Sequence, residues 1–211
     1  VTNAYTFKTL PYDPVKDFTP VRLVGRSPFV IACSAKFPAK DLQGALAMAK
    51  AKPGEIAIAT EGPKTFSGML ADSVAGMAGV RLNHVPYTKA PDALQDVLGG
   101  RVQLVCLPDA ALTSYMQAGT VRALAVSTGK RQAAMPDVPS LSETFPGFDY
   151  AGWNGIFAPA GTPVDIIHRV NRDLEAILQQ PEVTQRLQTL GSQPEPRMSV
   201  PEFEAFMRAE R

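Results

Sequence analysis

Apolar positions along the chain follow two rhythms, short unbroken runs and stretches in which they recur every three or four residues. After the proline punctuation at Pro11, Pro14 and Pro20, where no helix fits, residues 21–34 read as extended, with a break at Ser27-Pro28. A helix is expected over 41–51, with Asp41 as its N-cap and Pro53-Gly54 as its stop. Strands then alternate with helices: strand 56–60, helix 65–78, strand 82–85, helix 91–98, strand 102–106, helix 109–118 and strand 121–127. Such alternation predicts an α/β unit with a mostly parallel sheet covered on both faces.

The rhythm changes at Thr128. From there to Gly152 the chain is rich in Pro, Gly, Ser and charge, as a crossing segment would be. "WNGIFAPAGTP" follows as a strand, with Thr162 expected as N-cap and Pro163 at the first helical position. The next helix sets Ile167, Val170, Leu174, Ile177 and Leu178 on one face, and two more helices are expected over 182–190 and 200–209. Two lobes result. Residues 29–127 form one, and residues 1–28 with 128–211 form the other, thin and incomplete, with 128–152 as the crossing.

With 211 residues, 45% apolar and 19% charged, the chain has the means to bury a sizeable core. A net charge of +1 without a basic block argues against nucleic acid as a partner. No run approaches the roughly 18 consecutive apolar residues of a membrane span. Cys33 and Cys106 lie inside apolar runs, "FVIACSA" and "QLVCLPD", and read as small buried hydrophobes. Their separation fits neither a zinc site nor a disulfide framework, so no metal or cofactor is expected.

Catalytic apparatus is hard to assemble from these residues. His168 sits among Asp165, Arg169 and Arg172 on a solvated helix face. His84 ends a strand in "NHVPY", where a hydrogen-bonded structural role is the default and a catalytic base the rarer one. Ser67, in "TFSGM", lacks the first glycine of a nucleophile elbow. A Cys106–His84 pair has no evident orienting partner.

One stretch does suggest binding. In "IAIATEGPKTFSGML" a strand yields to a small polar turn and then to a helix. Lys64-Thr65 follows Gly62 too closely for a phosphate-cradling loop. A carboxylate fits better, held by unpaired first-turn amides at the positive end of the helix dipole. Thr60 and Thr65 have hydroxyls to donate, and Gly62 admits a ligand close to the backbone. An ordinary capped βα turn gives the same pattern, and the two readings stay open on these residues alone.

Several segments, taken in order, carry a resemblance: "LPYDPVKDFTPV", "HVPYTKAPDALQDVLGGRVQL", "AGTVRALAVSTGKR", "MPDVPSLSE", "FAPAGTP" and "RLQTLGSQPEP". Together they resemble the Bug-type extracytoplasmic solute receptors of tripartite tricarboxylate transporters. That resemblance implies a type II periplasmic-binding-protein fold, two α/β lobes closing on a small organic carboxylate. It also implies a periplasmic location, membrane transporter subunits as partners, and no catalysis. A ligand-sensing effector module of a regulator shares this fold and is the alternative.

Departures from the family pattern sharpen the expectations. Family members usually begin further upstream, with elements of the first lobe, so the N-terminal part of that lobe is expected to be missing here, and the incomplete lobe is expected either to pair with a second copy of the chain or to be the remnant of a longer one. The family's S-x-G-x-G-S/T loop is matched by Thr60, Gly62 and Thr65, with Lys64 replacing a glycine and Gly68 standing where a His is common. An Asp-Asn pair usual after the Cys106 strand is replaced by Leu107-Pro108. Lys64 adds a cation and Leu107 removes a carboxylate, which favours acids with an apolar body over amino acids. Ser27 at the lobe crossing completes the expected ligand-binding set. So does Trp153, which either stacks on the ligand or anchors the core.

Overall fold

The computed structural model describes residues 8–195 and 197–210. The chain divides into two compact units, Pro28–Gly152 and the described parts of Val1–Ser27 with Trp153–Arg211.

In the first of these, five strands form one sheet: β2 (Phe29–Ser34), β3 (Ala57–Thr60), β4 (Asn83–Pro86), β5 (Leu104–Pro108) and β6 (Val121–Val126), in the order β4-β3-β5-β2-β6. β3 pairs in parallel with β4 and β5, whereas β2 pairs antiparallel with both β5 and β6. The sheet is therefore mixed, with one reversed strand in an otherwise parallel set. β2 is not the product of a βα crossover within this unit, so nothing obliges it to run with the others.

Every residue of β2 and β3 is buried, as expected for strands covered on both faces. Alternate residues feed two cores. Ile31, Cys33, Ile58, Leu104 and Cys106 meet α1 (Leu42–Ala51) and α2 (Phe66–Ala78). Val30, Ala32, Ala59, Val105 and Leu107 meet α3 (Ala90–Leu98) and α4 (Asp109–Gln117). Asp41 caps α1 as the sequence predicts, its Oδ1 accepting the Gly44 N–H at 2.7 Å.

Residues 128–152 differ from the sequence expectation. They belong to this unit, because Leu141, Phe145 and Phe148 are buried in the core that α1 and α2 cover. Polar side chains tie the segment down. The Ser140 hydroxyl donates to the Thr128 carbonyl, and the Gly129 N–H donates to Asp149 Oδ1 at 2.7 Å. Arg131 grips Glu143 through Nε and Nη2, both at 2.8 Å, holding that carboxyl down to about 2.

In the other unit the described strands are β1 (Phe18–Ser27), β7 (Gly152–Pro159) and β8 (Gln193–Pro194), in the order β7-β1-β8. α5 (Val164–Leu178) and α7 (Val200–Ala209) pack on β1, and α6 (Pro181–Thr189) contacts β8. Two features depart from the sequence reading. Pro163, not Thr162, is the N-cap of α5, since its carbonyl accepts from Ile166 and Ile167; the Thr162 hydroxyl donates back to Pro159 O at 2.7 Å. The buried seam of α5 runs through Ile167, Asn171 and Leu178, leaving Val170 and Ile177 exposed. Asn171 earns its place by donating to Val21 O and Met198 O at 2.7 and 3.1 Å.

Candidate functional site

The C-terminal ends of β3 and β5 set the site. β3 runs out at Thr60, which is buried, and α2 starts at Phe66 with Thr65 as its N-cap. Between them the backbone reverses through Gly62 at φ 126°, a region that disfavours any side chain. Gly68, one turn into α2, is equally constrained: a Cβ there would lie 2.1 Å from the Gly62 carbonyl oxygen. The turn is thus pressed onto the helix, and the Phe66 ring is held against Phe29 of β2 with centroids 4.7 Å apart.

Following the protons shows what the turn offers a ligand. Thr65 donates its hydroxyl proton to Gly62 O at 2.6 Å and accepts from Gly68 N at 3.3 Å. Its proton is committed within the protein. Thr65 is therefore a cap and a brace, which corrects the expectation that it donates to a carboxylate. Thr60 Oγ1 accepts from Gly62 N at 3.3 Å and keeps its own proton to give. Ser67, fully buried, accepts from Glu61 N at 3.0 Å and lies 3.0 Å from Thr65 Oγ1 and 3.4 Å from Glu61 Oε2.

The N–H groups of Phe66 and Ser67 have no acceptor among the described residues. They carry the positive end of the α2 dipole, worth about 0.3–1 kcal/mol to an anion and up to about 2 when partly buried. Lys64 is exposed beside them and adds positive charge.

Two carboxylates flank the same edge. Glu61 lies in the turn, and Asp109 follows β5, where its N–H donates to Pro28 O at 3.1 Å. Burial raises the Asp109 pKa, partly offset by the Ala110 N–H donated to its Oδ1 at 2.7 Å. Neither residue was singled out from sequence. Asp109 read only as the start of a helix, and Ser67 only as a poor nucleophile, because the pattern of types does not show which side chains meet.

Of the residues expected to bind, Thr60, Gly62, Lys64 and Thr65 come together in this turn. Leu107 does not join them. Its side chain is 1% exposed, opposite Val30 and inside the core covered by α3 and α4, because the pleat of β5 points it away from the site. Asp109, two residues on, holds a carboxylate at the strand end that was expected to have lost one. Ser27 ends β1 and Trp153 lies in β7, both in the other unit. Trp153 packs on Phe206 with centroids 5.5 Å apart, and its indole N–H donates to Glu210 Oε2 at 2.9 Å. Those contacts are those of a core anchor.

The catalytic candidates stay apart. Cys106 is fully buried and burial pushes its thiol pKa up, the reverse of what a nucleophile requires. His84 turns to Asp72, Nε2 to Oδ1 at 3.0 Å, and His168 is exposed on α5.

Comparison with known proteins identifies the family. Residues 1–207 match the model of the tripartite tricarboxylate transporter family receptor. A UPF0065 protein of Bordetella bronchiseptica is 36% identical over 186 residues, covering 88% of this chain and 55% of the relative. The chain therefore spans little more than half the length of that relative. Among solved structures, the Rhodopseudomonas palustris protein Rpa4515 with adipate superposes with a TM-score of 0.82 at 29% identity, covering 97% of this chain and 68% of that one. MatC from Rhodopseudomonas palustris with bound malate gives 0.82 at 29%, covering 99% and 72%. A match over nearly the whole chain, joined to the α/β fold these structures share, shows that the protein belongs to the tripartite tricarboxylate transporter receptor family.

Proposed function

We propose that the protein is a periplasmic receptor that binds a small organic carboxylate without altering it and delivers it to the membrane subunits of a tripartite tricarboxylate transporter. The observation that carries this reading is the pair of first-turn amides, Phe66 and Ser67, which have no acceptor among the described residues, in the same turn as the Thr60 hydroxyl. These donors can receive one carboxylate at the C-terminal end of a parallel strand, where ligands of open α/β sheets bind. Family relatives solved with adipate and with malate supply the ligand class.

The position of Leu107 argues for a different selectivity from the one the sequence suggests. With Leu107 in the core, the argument for an apolar ligand body loses its support. Glu61 and Asp109 stand at the edge instead, and both disfavour a second negative charge placed against them. The preferred ligand is then a carboxylate whose second polar group, if it has one, is held away from these two side chains.

A thermal-shift panel of mono- and dicarboxylates, amino acids, sugars and phosphates tests the proposal. At 100 times its Kd a ligand raises stability by about 2.7 kcal/mol. Carboxylates are expected to shift the melt, and stabilisation by sugars alone would defeat the reading.

A further inference from the structure

One of the protein's own carboxylates already lies against the first turn of α2. Glu61 is an exposed residue, yet its Oε2 sits 3.4 Å from the Oγ of Ser67, which is fully buried. The side chain therefore turns inward along the turn instead of out into water. Cys106 registers the same placement from the neighbouring strand. Burial pushes its thiol pKa up, and the charge of Glu61 pushes the same way.

Little in the protein grips this carboxylate. Ser67 has one hydroxyl proton and two acceptors in reach, Thr65 Oγ1 at 3.0 Å and Glu61 Oε2 at 3.4 Å. Thr65 gives its own proton to Gly62 O, so its contact with Ser67 takes the Ser67 proton. Glu61 is left with a long, shared contact, the one hydrogen bond its carboxylate makes among the described residues. Asp109 differs, because the Ala110 N–H holds its Oδ1 at 2.7 Å. What draws the Glu61 carboxylate inward is the field at the N-terminus of α2, where the Phe66 and Ser67 amides have no acceptor among the described residues. A ligand's carboxylate would answer to the same field.

We propose that Glu61 is a tethered competitor for the ligand's carboxylate, balancing the first turn of α2 and swinging out when a ligand is captured. The inference rests on the carboxylate reading of this turn. Two carboxylates within about 4–6 Å oppose each other by a tenfold step or more in an ionic equilibrium. Glu61 thus sets a threshold, which a ligand passes by the contacts its other groups make.

Isothermal titration of acetate, malate and adipate into the full 211-residue chain and its Glu61→Gln variant, at low and high salt, tests this. Glu61→Gln keeps the size of the side chain and the bond from the backbone N–H to Ser67 Oγ at 3.0 Å. It is expected to bind carboxylates about tenfold more tightly, with the gain shrinking as salt screens the charge. Glu55→Gln removes the same charge before the start of β3, at the far end of the strand, and is expected to leave binding unchanged. Melts without ligand give a second readout: Glu61→Gln should melt lower than the wild type, because α2 loses its anion. Three results would each overturn the inference: binding by Glu61→Gln no tighter than by the wild type, an equal gain from Glu55→Gln, and an unchanged ligand-free melt. Binding of none of the three acids by either protein would instead defeat the receptor reading itself.

Discussion

At the scale of single residues, the site is governed by where each proton goes. Thr65 and Thr60 look equivalent as residue types, yet Thr65 spends its proton on Gly62 O and Thr60 does not. Asp109 is a residue at this site whose charge state bears on stability. Burial raises its pKa above 3.8, so the folded state holds this proton more tightly than the unfolded chain does. Below 3.8 both states are protonated and Asp109 costs nothing. As pH rises through the folded value the penalty of the buried charge is felt in full, and it then stays constant. Asp109→Asn should therefore raise the melting temperature at pH 7, with the gain fading as pH falls through the raised folded value and gone below about 4. Melts of both proteins across that range decide it, and a gain that persists unchanged in acid would refute the assignment.

At the scale of elements, the unit that matters is strand, turn and helix taken together. β3, the turn and α2 hold their relation because Gly62 O caps back onto Thr65 while Gly68 has no side chain to push it off. Gly68→Ala puts a Cβ 2.1 Å from that oxygen, against backbone that cannot rotate away. Overpacking of this kind costs about 1–3 kcal/mol. Urea denaturation should show a loss in that range, and carboxylate binding should fall with it because the Phe66 and Ser67 amides move. A Gly68→Ala protein with wild-type stability would mean that the turn is looser than described. The same contact explains why a His at this position, common in the family pattern, would require a different path for the turn.

For the molecule as a whole, the two cysteines report whether the large core is closed. Both are fully buried, in neighbouring antiparallel strands, with Cys33 opposite Leu104 and Cys106 opposite Ile31. They are thus diagonal neighbours, and a diagonal Cα separation of about 7–8 Å is beyond the span of a disulfide. Even in an oxidising compartment they should remain thiols. Iodoacetamide should label neither in the native protein and both after unfolding in urea. Labelling of either under native conditions would show that the sheet opens locally below the global unfolding free energy.

Much of this was legible in the residues. The two rhythms of apolar positions mark the strands and helices of residues 29–127 to within two residues, since burial on one face or two dictates the spacing of apolar side chains. Asp41 declared a cap by its type and position, and the Thr60–Thr65 turn declared itself by small polar residues between a strand and a helix. Periodicity, however, records only that a face is buried, not what covers it. The reversed β2 between β5 and β6, the burial of Phe145 and Phe148 under a segment that reads as a linker, and Asn171 in an apolar seam all depend on partners far along the chain. So do the inward turn of Leu107, the arrival of Asp109 at the site and the commitment of the Thr65 proton. Local sequence sets which conformations a segment favours; which acceptor meets which donor, and which face meets which helix, is settled only when distant segments pack.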